Sequence, residues 1–581
     1  MKSQRPGILA ARAVNQYRRR DVLTYLGLRY YLANASARTN VWATRVATDL
    51  AVTRGTSPYF NALNFKDVEQ DGEIGHRSLH MPGANEALAE AALLAECARH
   101  PATFGNPDCV FCYTLASSDD RNGVFEPYVK GLRRRHEAVK NAGRSCPDGV
   151  VQYVDIKKFY PTITGELATE VWRRCCTQAG LRDDFAALGE KLIGDHVSVG
   201  RGSEHGILTG PMFSHLLANL VLHDLDKDLS ANLTVRYFRY VDDIILVGEA
   251  NQVDKSLNVV EAKLNGLGFK LHPEGSDKRL RVAVAEWLEG ENDYRDPKTT
   301  HSWASLIGDL KRYLLVLNGD HGSLRKQFRE AEFRIPVPDY TAMIYEADWL
   351  DRLKELAKRQ WFRRKTRETS PEKLLKQAEW LRVHHQSEFE KLVAEVPDAT
   401  GYRRKRLIPK LRYSAGRLVC LARRETLLEY ANKALAISEL YLHGRVMQAV
   451  ATANVDELLP LGANAAQAAA QALAANGDVA LVTPRKFSLA ESQGLAILIM
   501  NGVQIVTNGV PLDDDTELMR LAQKGSDPGL MKSKDEFLRE LACLHGLSKA
   551  PRHESMFQTA FDQDDDLVMD AIDQLQEYVS P

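Results

Sequence analysis

The segment Arg239-Tyr240-Val241-Asp242-Asp243-Ile244-Ile245-Leu246-Val247 sets two adjacent carboxylates inside an apolar run rich in β-branched and aromatic residues. Such a run folds as two strands, with the acids forced into the tight connection between them. Neighbouring carboxylates in apolar surroundings repel each other and resist desolvation, so a positive partner is needed, and a divalent metal is the natural one. Taken alone, the pair also fits a surface turn, because Asp is a common turn residue.

A second fragment narrows the choice. Val150-Val151-Gln152-Tyr153-Val154-Asp155 reads as a strand ending in an acid, with Tyr160 five residues on. Asp155 and the Asp242–Asp243 pair lie far enough apart for a helix-rich crossover between adjacent strands. Three carboxylates from two neighbouring strands suit hard divalent cations such as Mg²⁺. Two such ions clamp the attacking and leaving oxygens of an in-line phosphoryl displacement. The bond formed would be a phosphodiester, a 3′-hydroxyl attacking an α-phosphate. Between the two fragments comes Gly206-Ile207-Leu208-Thr209-Gly210-Pro211-Met212-Phe213-Ser214-His215-Leu216-Leu217-Ala218-Asn219-Leu220. Gly206 and Gly210 allow close approach of backbone to a ligand. The run from Ser214 reads as a buried helix capped by that serine.

In this order, DIKKFYPTI, GILTGPMFSHLLANL and RYVDDIILVG resemble motifs A, B and C of the reverse-transcriptase palm, across residues 110–290. The resemblance implies that Asp155 and Asp242 bridge the metals, Asp243 is an auxiliary acid and Ile156 lends its backbone carbonyl to a metal. Tyr160 takes the place of the family's steric gate, a ring that excludes a 2′-hydroxyl and so favours dNTPs; the alternative is a core tyrosine. Leu208-Thr209 stands where templated enzymes carry Pro-Gln, which puts ordinary reading of the template in doubt. The segment 267–278 resembles motif D, with Lys278 three residues later than the family's lysine. In the fingers, the segment 125–136 offers Lys130 and Arg135 to a triphosphate, since a guanidinium fork suits phosphate oxygens; the alternative is a solvated helix face.

The chain has 581 residues, enough for several domains, and 44% hydrophobic content supports sizeable cores. The net charge of −1 hides segregation: 351–430 holds 21 Lys and Arg against 11 Asp and Glu, whereas 511–581 holds 7 against 16. The basic stretch, with Arg403, Arg404, Lys405 and Arg406, is suited to tracking a phosphate backbone. Eight cysteines in this length fit a reducing cytosol better than a disulfide scaffold. Cys109 and Cys112 have zinc-knuckle spacing that Cys146 and His136 would complete, set against ordinary half-buried cysteines. The arginine-rich start and the lack of a bilayer-length apolar run imply a cytoplasmic protein with no membrane partner.

The expected fold is α+β: right-hand fingers and palm with a large α-helical C-terminal region. Residues 1–100 read as a helical extension of the fingers, 101–290 as fingers and palm, 291–345 as thumb-like helices and 346–581 as a helical domain. A Val/Ile-rich segment at 479–509 suggests an inserted hairpin. No Cys/His endonuclease module and no post-palm Val-Thr-Gly tripeptide is present, so the chain is most similar to bacterial defence-associated reverse transcriptases of the abortive-infection and unknown-group kind. That likeness implies two Mg²⁺ ions (or Mn²⁺), dNTP substrates, an RNA template or non-coding RNA, a DNA product and a role in antiphage defence. Priming by one of the twenty tyrosines, a homo-oligomer and a second defence protein are open options. Three rivals remain: an idle palm used as a scaffold, an RNase of HEPN type from Arg539 and His545, and a conventional templated enzyme of a mobile element.

Overall fold

The computed structural model describes residues 59–511 apart from 70, 83, 118–122, 201–205, 291–301, 312, 314–319, 336, 338–368, 502 and 508–509. The helix expected at 22–35, the start of the basic stretch, Arg539, His545 and the acidic tail lie outside the described residues. What is described is mixed α and β.

Among the described residues the first elements are an antiparallel hairpin, β1 (Tyr59–Val68) and β2 (Ile74–Pro82), within the stretch read as a helical extension. The reversal is local: Gly72 takes φ +86° and the Asp71 carboxylate accepts the Glu73 N–H at 3.0 Å. Next come α1 (Ala84–Cys97), α2 (Tyr128–Arg144), β3 (Val150–Asp155), α3 (Gly165–Ala179), α4 (Asp183–Gly200) and α5 (Met212–Asn232). They are followed by β4 (Arg236–Tyr240), β5 (Asp243–Gly248), α6 (Ala250–Gly266) and β6 (Arg279–Ala283). The last four strands named form one antiparallel sheet in the order β4-β5-β3-β6. Strand alternation divides its faces. Val154, Ile244 and Leu246 join the main core with Val253, Val260 and Leu264 of α6. Val151, Tyr153, Ile245 and Val247 pack with Val139 of α2.

Helix α5 begins at Met212 behind Pro211, so Ser214 does not cap it but is buried inside it. The cap is long-range: the buried Glu90 carboxylate accepts the Phe213 N–H at 3.2 Å and the Tyr59 hydroxyl at 2.8 Å. A carboxylate at a helix N-terminus also answers the helix dipole.

Beyond β6 the structure is largely helical, with α7 (Trp303–Lys311), α8 (His321–Glu330), α9 (Pro371–Glu395), α10 (Gly401–Leu421), α11 (Arg424–Leu435), α12 (Tyr441–Thr452) and α13 (Ala463–Asn476). The segment at 479–509 is not a hairpin. It is β7 (Val479–Leu481), α14 (Leu489–Met500) and β8 (Gln504–Thr507), with β7 and β8 parallel and β9 (Val510–Pro511) antiparallel to β8. A capping box at Ser488 and Glu491 turns the apolar run into a helical crossover.

Two contacts tie this region to the rest. On α10, Tyr402 stacks on Trp287 (5.1 Å between centroids), Lys405 donates to the Asp277 carbonyl and Arg406 donates to the Glu289 carbonyl at 2.8 Å. Arg404 forms a two-bond fork on Glu439 at 2.6 and 2.9 Å, and Arg403 lies 3.8 Å from Glu395. The 403–406 cluster expected to track nucleic acid is thus largely spent on holding the protein together. The first hairpin makes the second contact: Leu63 N–H to Gln493, Phe65 N–H to Asn464, and the His76 ring to the Pro460 carbonyl. Gly462 makes that approach possible. It sits at φ +86°, and a Cβ there would strike the Leu63 carbonyl. Gly462→Ala is expected to lower stability by more than about 1 kcal/mol in urea unfolding, because strain and collision act together.

Candidate active site

The pairing of Tyr240 with Asp243 leaves Val241 and Asp242 as a two-residue loop. Val241 has φ +58°, a conformation that costs a β-branched residue on the order of 1–3 kcal/mol. Three hydrogen bonds hold it. The Val241 N–H donates to Cys112 Sγ at 3.0 Å, Arg239 Nη1 donates to the Val241 carbonyl at 2.7 Å and the Ile156 N–H donates to the Asp242 carbonyl at 3.0 Å. Arg239 is itself fully buried and forks onto Asp226 of α5 at 2.8 and 2.6 Å. Asp226 also accepts the Tyr237 hydroxyl at 2.8 Å, and Asn219 accepts Arg239 at 3.2 Å. Of these supports Ile156 was read for its carbonyl and Cys112 as a zinc candidate, whereas Arg239, Asp226, Tyr237 and Asn219 were given no role from the sequence. The available signal was Asn219 and Asp226, seven residues apart and so on one face of a helix that is otherwise apolar there.

Asp155 sits directly opposite Asp243 across β3 and β5. Its buried carboxylate lies 3.1 Å from Lys278 Nζ and 3.5 Å from His272 Nε2. Asp243 accepts the Tyr153 hydroxyl and lies 3.5 Å from Arg135 Nη1; that guanidinium also sits 5.1 Å from the centre of the Tyr240 ring. Burial, with Asp243 and Asp155 adding repulsion, pushes the Asp242 carboxyl up to about 8. Burial raises Asp243 as well, with Asp155 adding to it and Arg135 opposing. Burial works against the charge on Lys278, yet Asp155, Asp243 and Asp242 together hold its pKa above the usual lysine value.

The all-oxygen donor set of Asp155, Asp242 and Asp243 fits a hard divalent cation. It is not a closed cage. Among the described residues no group of three or more His, Cys, Asp or Glu is placed to hold a metal. The reason lies in the partners just named: Asp155 is drawn to Lys278 and Asp243 to Tyr153 and Arg135. The same finding covers the zinc arrangement of Cys109, Cys112, Cys146 and His136. Cys112 instead accepts the hairpin N–H, and Cys109 lies 3.6 Å from the Asp226 carbonyl.

Lys278 and Arg135 are therefore brought to the acids. Tyr160 is buried; its hydroxyl is 2.6 Å from His215 Nδ1, and Tyr113 stacks on the same imidazole at 3.9 Å. Gly210 and Gly206 do permit close backbone approach, but to protein: Gly210 at φ +124° abuts the His80 carbonyl and Gly206 abuts Pro161. Thr209 is tied to β2 by accepting the His80 N–H at 2.8 Å. Lys130 is not at the site and pairs with Glu126 in the open.

No family model matches the chain. No curated protein matches it either. Among solved structures it is similar to telomerase from Candida albicans in complex with the TWJ fragment of telomeric RNA. That likeness has a TM-score of 0.28 at 10% identity, over 62% of this chain and 68% of that one. A superposition at that level supports neither a shared fold nor a shared function.

Two outcomes are expected. Asp226→Asn, which leaves Arg239 buried without its counter-charge, should cost about 3–5 kcal/mol in urea unfolding. Asp242 binds its proton more tightly folded than unfolded, so its share of stability falls as pH rises from about 4 to about 8 and is level above that. Asp242→Asn should match the wild-type melting temperature near the acid end of that window and exceed it at the alkaline end. Parallel melting curves across the window would show no divergence if the acid were ordinary.

Proposed function

We propose that the chain is a nucleic-acid polymerase of reverse-transcriptase type, adding dNTPs to a 3′-hydroxyl. The observation that carries this is the acid arrangement: Asp155 paired with Asp243 across adjacent strands, and Asp242 in the strained loop beside them. Two divalent cations held by Asp155, Asp242 and the Ile156 carbonyl, with Asp243 adjacent, would activate the attacking hydroxyl and neutralise the leaving pyrophosphate. Asp242 would bind a cation only after losing its proton, so loading should release protons below pH 8. Lys278, 3.1 Å from Asp155, would give up a proton as pyrophosphate departs once a cation displaces it from that carboxylate. Tyr160 is braced by His215 and presents a fixed ring as the gate against a 2′-hydroxyl.

Templating is RNA-directed or weak, because Thr209 stands where the family reads the paired base and its backbone is tied to β2. The setting in antiphage defence rests on the sequence resemblance. Asp155→Asn and Asp242→Asn should each abolish incorporation of labelled dNTP with Mg²⁺ while leaving the protein folded. Full incorporation by folded Asp242→Asn would refute the polymerase reading. Tyr160→Ala should admit ribonucleotides that wild type excludes; equal use of both by wild type would remove the gate. Sequencing the DNA made from supplied dNTPs separates copying from weakly templated synthesis.

A further inference from the structure

One face of α9 combines aromatic rings with lysines. On a helix of 3.6 residues per turn, Lys373, Lys376, His384, Ser387, Lys391 and Ala394 all fall within about 40° of Trp380. All are exposed, and this stripe of the helix holds no Asp or Glu. The glutamates of α9 lie on its flanks, where Glu379 pairs with Arg382 at 2.9 Å, Glu390 accepts the Tyr430 hydroxyl at 3.0 Å and Glu395 lies 3.8 Å from Arg403. Trp380 is 42% exposed, and its ring stacks on His384 with 5.1 Å between centroids and 13° between planes. The run of rings continues across to α10: His384 lies 5.1 Å from His385, and His385 lies 5.7 Å from Tyr413, which is 38% exposed. Between those exposed rings, His385 is 4% exposed and its Nδ1 has no hydrogen-bond partner among the described residues. A buried polar atom left in that state is costly.

We propose that this face binds a single-stranded nucleic acid, with bases stacked on Trp380, His384 and Tyr413 and phosphates met by Lys373, Lys376 and Lys391. Rings alternating with cations suit a strand, because every base has a π face and every nucleotide carries a phosphate. Lys376, Trp380 and His384 follow one another at successive turns of α9, and Lys373 and Lys391 stand about 27 Å apart along it, room for several nucleotides. A protein partner would need unbroken apolar area, and here the lysines interrupt it. RNA and DNA strands share this chemistry. The face contains none of the groups around Asp155, Asp242 and Asp243, so it goes beyond the polymerase reading and does not depend on it.

The test measures binding of the full chain to a labelled short single-stranded oligoribonucleotide, the matching oligodeoxynucleotide and a duplex of the same length. Trp380→Ala should lower affinity for the strand about tenfold and leave the duplex unaffected, because paired bases cannot reach the rings. Lys373→Gln/Lys376→Gln/Lys391→Gln should reduce the salt slope by roughly 0.7 for each phosphate no longer neutralised. Lys326→Gln, an exposed charge change on α8, should alter neither. A loss shared by both oligonucleotides supports a face for either strand, and a loss confined to one names RNA or DNA as its ligand. Unchanged strand affinity in folded Trp380→Ala overturns the proposal, as does equal weakening of the duplex or equal weakening by Lys326→Gln. If Trp380→Ala unfolds, the lysine variant decides, since its three side chains are exposed. Asp242→Asn keeps the two readings apart: it should bind the strand as wild type does yet incorporate nothing. A wild type that incorporates nothing but loses the strand on Trp380→Ala would refute the polymerase and keep the face.

Discussion

The bidentate contact between Arg239 and Asp226 is the interaction on which the rest of the site depends. Both side chains are fully buried. Desolvating two charges costs several kcal/mol each, and the fork with its extra hydrogen bonds offsets that cost rather than adding net stability. What the pair supplies is position. A strained valine at the hairpin tip relaxes unless something fixes its carbonyl, and Arg239 does so from the strand just before the turn. Because Asp226 and Asn219 both belong to α5, the helix, the hairpin and the Cys112 segment are joined by one set of hydrogen bonds. A single apolar contact could not set the direction of two adjacent carboxylates in this way, since it has no preferred angle.

The acids meet protein cations on two sides. Lys278 reaches Asp155 and Arg135 reaches Asp243, while among the described residues Asp242 makes no ion pair and burial pushes its carboxyl up to about 8. With Asp242 protonated below about pH 8, two charged carboxylates face two basic side chains, and Lys278 and Arg135 occupy the oxygens of Asp155 and Asp243. The helical region shares in this balance through Lys405, which lies over the tyrosine that donates to Asp243. A shift of α10 would therefore alter the electrostatics of the acids without touching them.

The acid hairpin, the strand carrying Asp155 and the helix after Gly210 were legible because alternation and helical period are local properties. Lys278 and Arg135 were named as cations of the site, but only the fold shows that they reach the acids and that Lys130 does not. The cap of α5 was misassigned to Ser214 because the true acceptor, Glu90, comes from a distant helix. Gly210 was read as making room for a ligand, whereas the room is used by β2. The first hairpin was missed although Asp71-Gly72 is a turn signal, since its strands mix polar and apolar residues on both faces. The first two of these misses turn on a partner far away in sequence.

The basic stretch shows why a charge count misleads. Arg382 donates to the Leu421 and Ala331 carbonyls at 2.6 and 2.7 Å, and Arg412 to the Glu439 carbonyl at 2.7 and 3.0 Å. The Leu421 and Ala331 carbonyls lie at the C-terminal ends of α10 and α8, where unsatisfied acceptors and the negative end of the dipole favour a cation. A guanidinium suits the task because it stays charged in apolar surroundings and reaches two acceptors at once; burial brings Arg412 down only to about 10. Each arginine so used is withdrawn from the surface potential. The excess over 351–430 therefore overstates the field available to a phosphate backbone, and the cations beside the acids act through position rather than number. Long-range attraction contributes little to a chain of net charge −1.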